Sequence, residues 1–144
     1  MRLVLDTAAM VAAIRSNVGA SRRLLYAALE RRGGLTLLVS GALMIEYEAV
    51  MTRPEHLAAA GLSTRDIEVL LDAIAAVAEP VTLAYLWRPT LPDEDDDMVL
   101  EAAVNGRADA IVTFNRRDFD IAVEQFGITV LSPGEAVKRL EKTS

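Results

Sequence analysis

Three short apolar runs constrain this chain more than anything else in it. They lie at 3–5 (Leu-Val-Leu), 35–39 (Leu-Thr-Leu-Leu-Val) and 110–113 (Ala-Ile-Val-Thr). Each is too short for a stable helix and is predominantly apolar, as expected of a strand buried on both faces of a parallel sheet. Each also leads into polar residues: Asp6-Thr7, Ser40, and the stretch from Asn115 to Asp118.

The segments between the runs have helical character. Residues 8–14 continue as an apolar helix until Asn17-Val18-Gly19 breaks the pattern. Ser21 is expected to cap a helix reaching about Arg31, with Leu24, Leu25, Ala28 and Leu29 on one face. Gly33-Gly34 ends it. Ser40 caps a third helix carrying Leu43, Ile45, Glu46, Tyr47, Val50 and Met51, which Arg53-Pro54 closes. His56 then falls in an expected loop. The segment from Ser63 to Asp66 opens an amphipathic helix with Ile67, Leu70, Leu71, Ile74 and Val77 at helical spacing. Pro80 stops it. A short strand at 81–83 and a loop at 88–94 follow. A helix from about Asp95 to Asn105 ends at Gly106. Residues 119–126 read as a short helix and 128–131 as a last strand, and Ser132-Pro133 starts a terminal helix. Strands alternating with helices predict an α/β fold with a mainly parallel sheet. The 144 residues suit a single domain over 1–144.

Composition narrows the chemistry. With no cysteine there is no disulfide framework and no thiolate metal site, which fits a cytoplasmic location. The longest apolar runs, such as 81–87, are too short to span a bilayer. Asp6 interrupts the apolar start, so no signal peptide is expected. The net charge of −6 argues against a nucleic-acid partner on its face. Five of the 21 acids, however, are consecutive, Asp93-Glu94-Asp95-Asp96-Asp97. The remainder is close to neutral, and 13 of its 15 basic residues are arginine, suited to phosphate.

In open α/β sheets the ligand site lies beyond the carboxyl ends of the strands. Asp6, Glu46, the 93–97 block, Asn115 and Asp118 all fall where they can open onto that end. Taken singly each has a plain structural role: Asp6 a turn or cap residue, Glu46 a solvated helix position, the acidic block a helix start favoured by the macrodipole, Asp118 a cap. Together they point to a site for a hard divalent cation, Mg²⁺ or Mn²⁺ rather than zinc. The lone His56 is weak evidence beside them.

These residues carry a family resemblance. Leu-Asp-Thr at 5–7, Ser40 with Glu46 six residues on, the acidic run before Val-Leu-Glu-Ala-Ala, and Val112-Thr-Phe-Asn-Arg-Arg-Asp-Phe119 resemble the ordered motifs of PIN domains, over nearly the whole chain. The likeness is closest to small prokaryotic PIN toxins of toxin–antitoxin systems, relatives of the VapC toxins. It implies a three-layer α/β/α sandwich and metal-dependent hydrolysis of RNA, leaving 5′-phosphate and 3′-hydroxyl ends. It implies one or two Mg²⁺ or Mn²⁺ ions on Asp6, Glu46 and Asp96, with Asp97 the alternative ligand. Asp96 and Asp97 lie about 100° apart around a helix, so the two cannot be equally placed. Asn115 stands where the family's fourth acid is usual, with Asp118 a candidate replacement charge, and Ala8 stands where asparagine is common. Thr7, Ser40 and Thr113 are candidates to orient the carboxylates, and Arg116 and Arg117 to contact phosphates. The partners implied are RNA, an antitoxin protein and a second copy of the chain. Two other readings compete. One is a PIN domain that binds RNA or a partner without cutting. The other is a phosphatase-like enzyme with Asp6 as nucleophile, which Ala8 disfavours because a second aspartate is usual there.

Overall fold

The computed structural model describes residues 1–16, 19–84, 91 and 94–143. Residues 17–18 of the expected break, and most of the expected loop at 88–94, lie outside them. The first strand, β1 (Arg2–Leu5), has Leu3, Val4 and Leu5 buried to within 1%. Then come α1 (Thr7–Arg15), α2 (Ala20–Leu29), β2 (Thr36–Val39) and α3 (Gly41–Met51). The chain continues through α4 (Pro54–Ala60), α5 (Thr64–Val77), β3 (Glu79–Pro80) and α6 (Glu94–Asn105). It ends with β4 (Ala110–Val112), α7 (Asp120–Phe126), β5 (Val130–Leu131) and α8 (Pro133–Thr143).

The five strands form one parallel sheet in the order β3-β2-β1-β4-β5. The central strands β1 and β4 are buried along both faces, so helices must cover the sheet on each side, giving the α/β sandwich. From β1 the chain builds outward through β2 to β3, then returns to lay β4 on the opposite side of β1. The strand order therefore reverses between β1 and β4. Leu5 pairs with Val112 at that point, and the next residues, Asp6 and Thr113, emerge side by side.

Local rules account for most of the element boundaries. Ser40 caps α3, accepting the Leu43 N–H at 3.1 Å. Ser63 and Asp66 form a reciprocal capping box on α5. Ser132 and Glu135 do the same for α8.

Several expectations are corrected. Ser21 does not cap α2; Gly19 occupies that position, and Ser21 is buried inside the helix. Pro54 does more than follow α3: it is the first residue of α4, so His56 is helical rather than in a loop. The strand expected at 81–83 sits two residues earlier, and only the Val81 N–H extends the pairing, to Val39 O at 2.8 Å. This is an edge strand, where Pro80 is tolerated. Gly106 does end α6, but without left-handed geometry, which Arg107 takes instead (φ 53°). Glycine is needed at 106 for space. A Cβ there would lie 2.8 Å from both the Ala102 carbonyl oxygen and Val81 Cγ2.

Candidate functional site

The switch between β1 and β4 places Asp6. Its backbone N–H continues the pairing onto Val112 O at 3.0 Å, and its side chain caps α1, with Oδ1 accepting the Ala9 N–H at 2.8 Å. Thr113, fully buried just past β4, donates its hydroxyl to Asp6 Oδ2. Thr113 Oγ1 accepts the Asn115 N–H at 3.0 Å in turn. From α3, the buried Tyr47 hydroxyl donates to the Leu5 carbonyl oxygen and fixes the strand end from below. The carboxylate is thus held by the start of α1 and by Thr113, and the backbone just before it by Tyr47.

Asp6 is only 7% exposed. Burial pushes its carboxyl above the ordinary range, the Thr113 and Ala9 hydrogen bonds oppose the shift, and the charge of Asp118 adds to it. Burial also pushes the Tyr47 phenol up, with Asp6 contributing, so it remains a neutral donor.

Asp6 opens into a pocket of about 430 Å³. Glu46 from α3, Asp96 from the first turns of α6, and Asn115 and Asp118 after β4 line it as well. Five residues singled out from the sequence are therefore brought to one cavity. Asp97 is not among its lining. It is completely buried, and its Oδ1 accepts the Leu91 N–H at 2.9 Å. The angular separation of adjacent helix positions puts the two aspartates to different uses. Arg116 is also drawn away, paired with Glu135 and lining a separate hollow, while Arg117 is exposed.

The same pocket contains two residues the sequence did not single out, Arg53 and Phe114, and one it weighed as weak evidence, His56. Arg53 and His56 line it from the α3–α4 junction, and Phe114 from between Thr113 and Asn115. Arg15 approaches His56 Nδ1 at 3.3 Å. A guanidinium can only donate, so this contact is a hydrogen bond where Nδ1 accepts. The available signal for the basic pair was Pro54-Glu55, a proline at the first helical position with an acid in the first turn.

Among the described residues, no three His, Asp or Glu side chains stand close enough to form a ready ligand set. The pocket offers carboxylate and amide oxygens on its different walls. That donor chemistry fits Mg²⁺ or Mn²⁺, since Mg²⁺ keeps much of its water and takes one or two carboxylates directly. Zinc would find neither thiolates nor a cluster of imidazoles. A cation would also offset the burial, and the lesser effect of the Asp118 charge, that raise the Asp6 pKa.

The class defined so far is a parallel α/β sandwich with a carboxylate pocket at its topological switch point. The PIN domain model matches residues 2–117, from β1 through Arg117, and the chain belongs to that family, whose fold is of the nuclease type. No curated protein matches the chain in sequence. Among the described residues no helix is long and apolar enough to cross a membrane.

Proposed function

We propose that the protein is a Mg²⁺- or Mn²⁺-dependent endoribonuclease and the toxin of a type II toxin–antitoxin pair. The observation that carries this reading is the convergence of Asp6, Glu46, Asp96 and Asp118 on one pocket at the switch point. Asp6, Glu46 and Asp96 would hold the ion, which when bound supplies Lewis-acid charge at a phosphodiester. Thr113 and the Ala9 N–H keep the Asp6 carboxylate oriented. Glu46 or Asp118 would position the attacking water, and the one that accepts its hydrogen bond takes its single proton. Arg53 and His56, which line the same pocket, would donate to phosphate oxygens, and Arg117 would contact a flanking phosphate.

The acidic pocket suits an arginine or lysine of an antitoxin segment entering it. Growth arrest on expression, relieved by the product of an adjacent short gene, tests that part. A second copy of the chain is proposed to dock on the groove lined by Met44, Ile45 and Leu71, where Ile45 is 73% exposed. Equilibrium sedimentation reads this directly. The apolar residues Ile67 and Ile74 of α5 are core and are not available to it.

The enzymatic reading is tested with a structured and an unstructured RNA, each in Mg²⁺ and in Mn²⁺. Wild type is expected to cleave, and Asp6→Asn and Asp96→Asn to lose at least about 100-fold, the upper end of what disturbing a ligand's supporting contacts costs. If both variants cleave like wild type, the assignment is wrong. A second reading has support in the neutral Asn115 and the absence of a tight ligand cluster among the described residues: a PIN domain that binds RNA without cutting it. Calorimetry with Mn²⁺ separates the two, because the binding-only form takes up little or no metal.

A further inference from the structure

Six large apolar side chains stand exposed among the described residues, and Phe114 is the one of them that lines the carboxylate pocket. It is 60% exposed, whereas Phe119, five positions along the same segment, is completely buried. The segment can therefore bury a phenyl ring and does not bury this one. Its backbone is nonetheless held on both sides. The Thr113 N–H donates to Leu131 O at 2.9 Å, and the Asn115 N–H to Thr113 Oγ1 at 3.0 Å. An aromatic ring on a fixed backbone is a surface with little ordering entropy left to lose on binding.

The rest of the pocket says what should lie on that surface. Arg53 and His56 present donors suited to phosphate, and the carboxylates disfavour an anion without an accompanying cation. A ligand with a flat π-face and a phosphate satisfies both, which is a nucleotide. Asp6 is recessed, so the phosphodiester to be cleaved must come down to it. A base inside a duplex has both faces covered by its neighbours and cannot give one to a protein ring, so the base beside that phosphate has to be unpaired and splayed.

We propose that Phe114 is a stacking platform for one unpaired base next to the scissile phosphate, and that it holds that base without reading its identity. This rests on the ribonuclease reading above. Because stacking uses only the π-face, the platform tolerates all four bases.

The test uses a single-stranded oligoribonucleotide with an abasic residue at each position in turn, and a second one carrying 2-aminopurine. Binding is read by 2-aminopurine fluorescence on stopped-flow mixing, hydrolysis by product formation in Mn²⁺. For wild type, one abasic position is expected to weaken binding about tenfold or more, the scale of one base–aromatic stack. In Phe114→Leu all substrates should be weakened by that factor, through KM rather than kcat, and the abasic position should no longer matter. Phe114→Tyr should restore the wild-type profile. Thermal melts of each variant establish that it is folded. If RNA is hydrolysed but Phe114→Leu keeps the wild-type abasic profile, the platform is refuted while the nuclease stands. If no RNA is hydrolysed yet the fluorescence change and abasic sensitivity depend on Phe114, the nuclease reading fails and the platform stands. A flat abasic profile in wild type refutes the platform outright.

Discussion

Asp6 concentrates a conflict in one side chain: it is placed for chemistry at a cost to the fold. It is nearly buried, it accepts from Thr113 and the Ala9 N–H, and its proton affinity is still raised, first by desolvation and then by Asp118. Because its pKa in the native state lies above its unfolded value, the native state binds the proton more tightly. The stability this provides is fully present below the unfolded pKa and is lost as pH rises through the folded one. At neutral pH the metal-free protein therefore carries a destabilising charge. Asp6→Asn keeps the shape and a carbonyl oxygen for the Ala9 N–H while removing that charge. The metal-free variant should be more stable than wild type at pH 7, with the difference closing as pH falls toward the ordinary carboxyl value of 3.8. Urea denaturation in chelator across that range measures it. A variant equally stable or weaker at pH 7 would show that Asp6 is not under electrostatic stress. Gaining stability while losing activity is the trade expected of a site residue.

At the scale of elements, the end of α6 shows a glycine doing a different task from the one its position implies. Arg107 already takes the left-handed conformation, and Gly106 lets the helix end approach the Ala102 carbonyl, Val81 and Leu38. Gly106→Ala should cost about 1–3 kcal/mol by overpacking, because its closest neighbour is backbone that cannot swing away. Arg107→Gly should be neutral or gain up to about 1 kcal/mol, since glycine adopts that φ freely. Denaturant midpoints of the two variants check the contrast, and a neutral Gly106→Ala refutes the close approach. The same distinction between local signal and tertiary demand governs what could be read ahead of the structure. The strands at 2–5, 36–39 and 110–112 were legible because burial on both faces leaves an uninterrupted apolar run. Asp6, Glu46, Asp96, Asn115 and Asp118 were legible as a group because strand ends converge by topology. Asp97 was not separable from Asp96 by composition, since only helix rotation decides which carboxylate meets the cavity and which meets the Leu91 N–H. Ser21 looked like a cap because serine favours that position, yet packing drew it inside the helix. Arg53 was not legible as a pocket residue, and a lone His56 was weak evidence, because Pro54 reads as the end of one helix when it also begins the next.

The molecule as a whole carries a charge of −6, and the helix that supplies Asp96 to the pocket begins with the acidic sequence Glu94-Asp95-Asp96-Asp97. Such a surface repels RNA until the pocket is neutralised, so metal loading, RNA affinity and fold stability should move together. The unfolded chain has no gathered pocket, so an ion that binds only the native state stabilises it by mass action. At 100 times its dissociation constant, Mn²⁺ should add about 2.7 kcal/mol. For a domain of this size that raises Tm on the order of 5–10 °C. In Asp6→Asn the rise should be largely lost, although that variant starts from the higher metal-free Tm. Opposite movements of baseline and increment distinguish a site from a residue that merely packs, because truncating a packing residue lowers the baseline and leaves the increment alone. Scanning calorimetry of both proteins in chelator and in Mn²⁺ gives the four melting temperatures required. A wild-type Tm that ignores Mn²⁺ would remove the metal from the mechanism and leave the pocket as a binding surface.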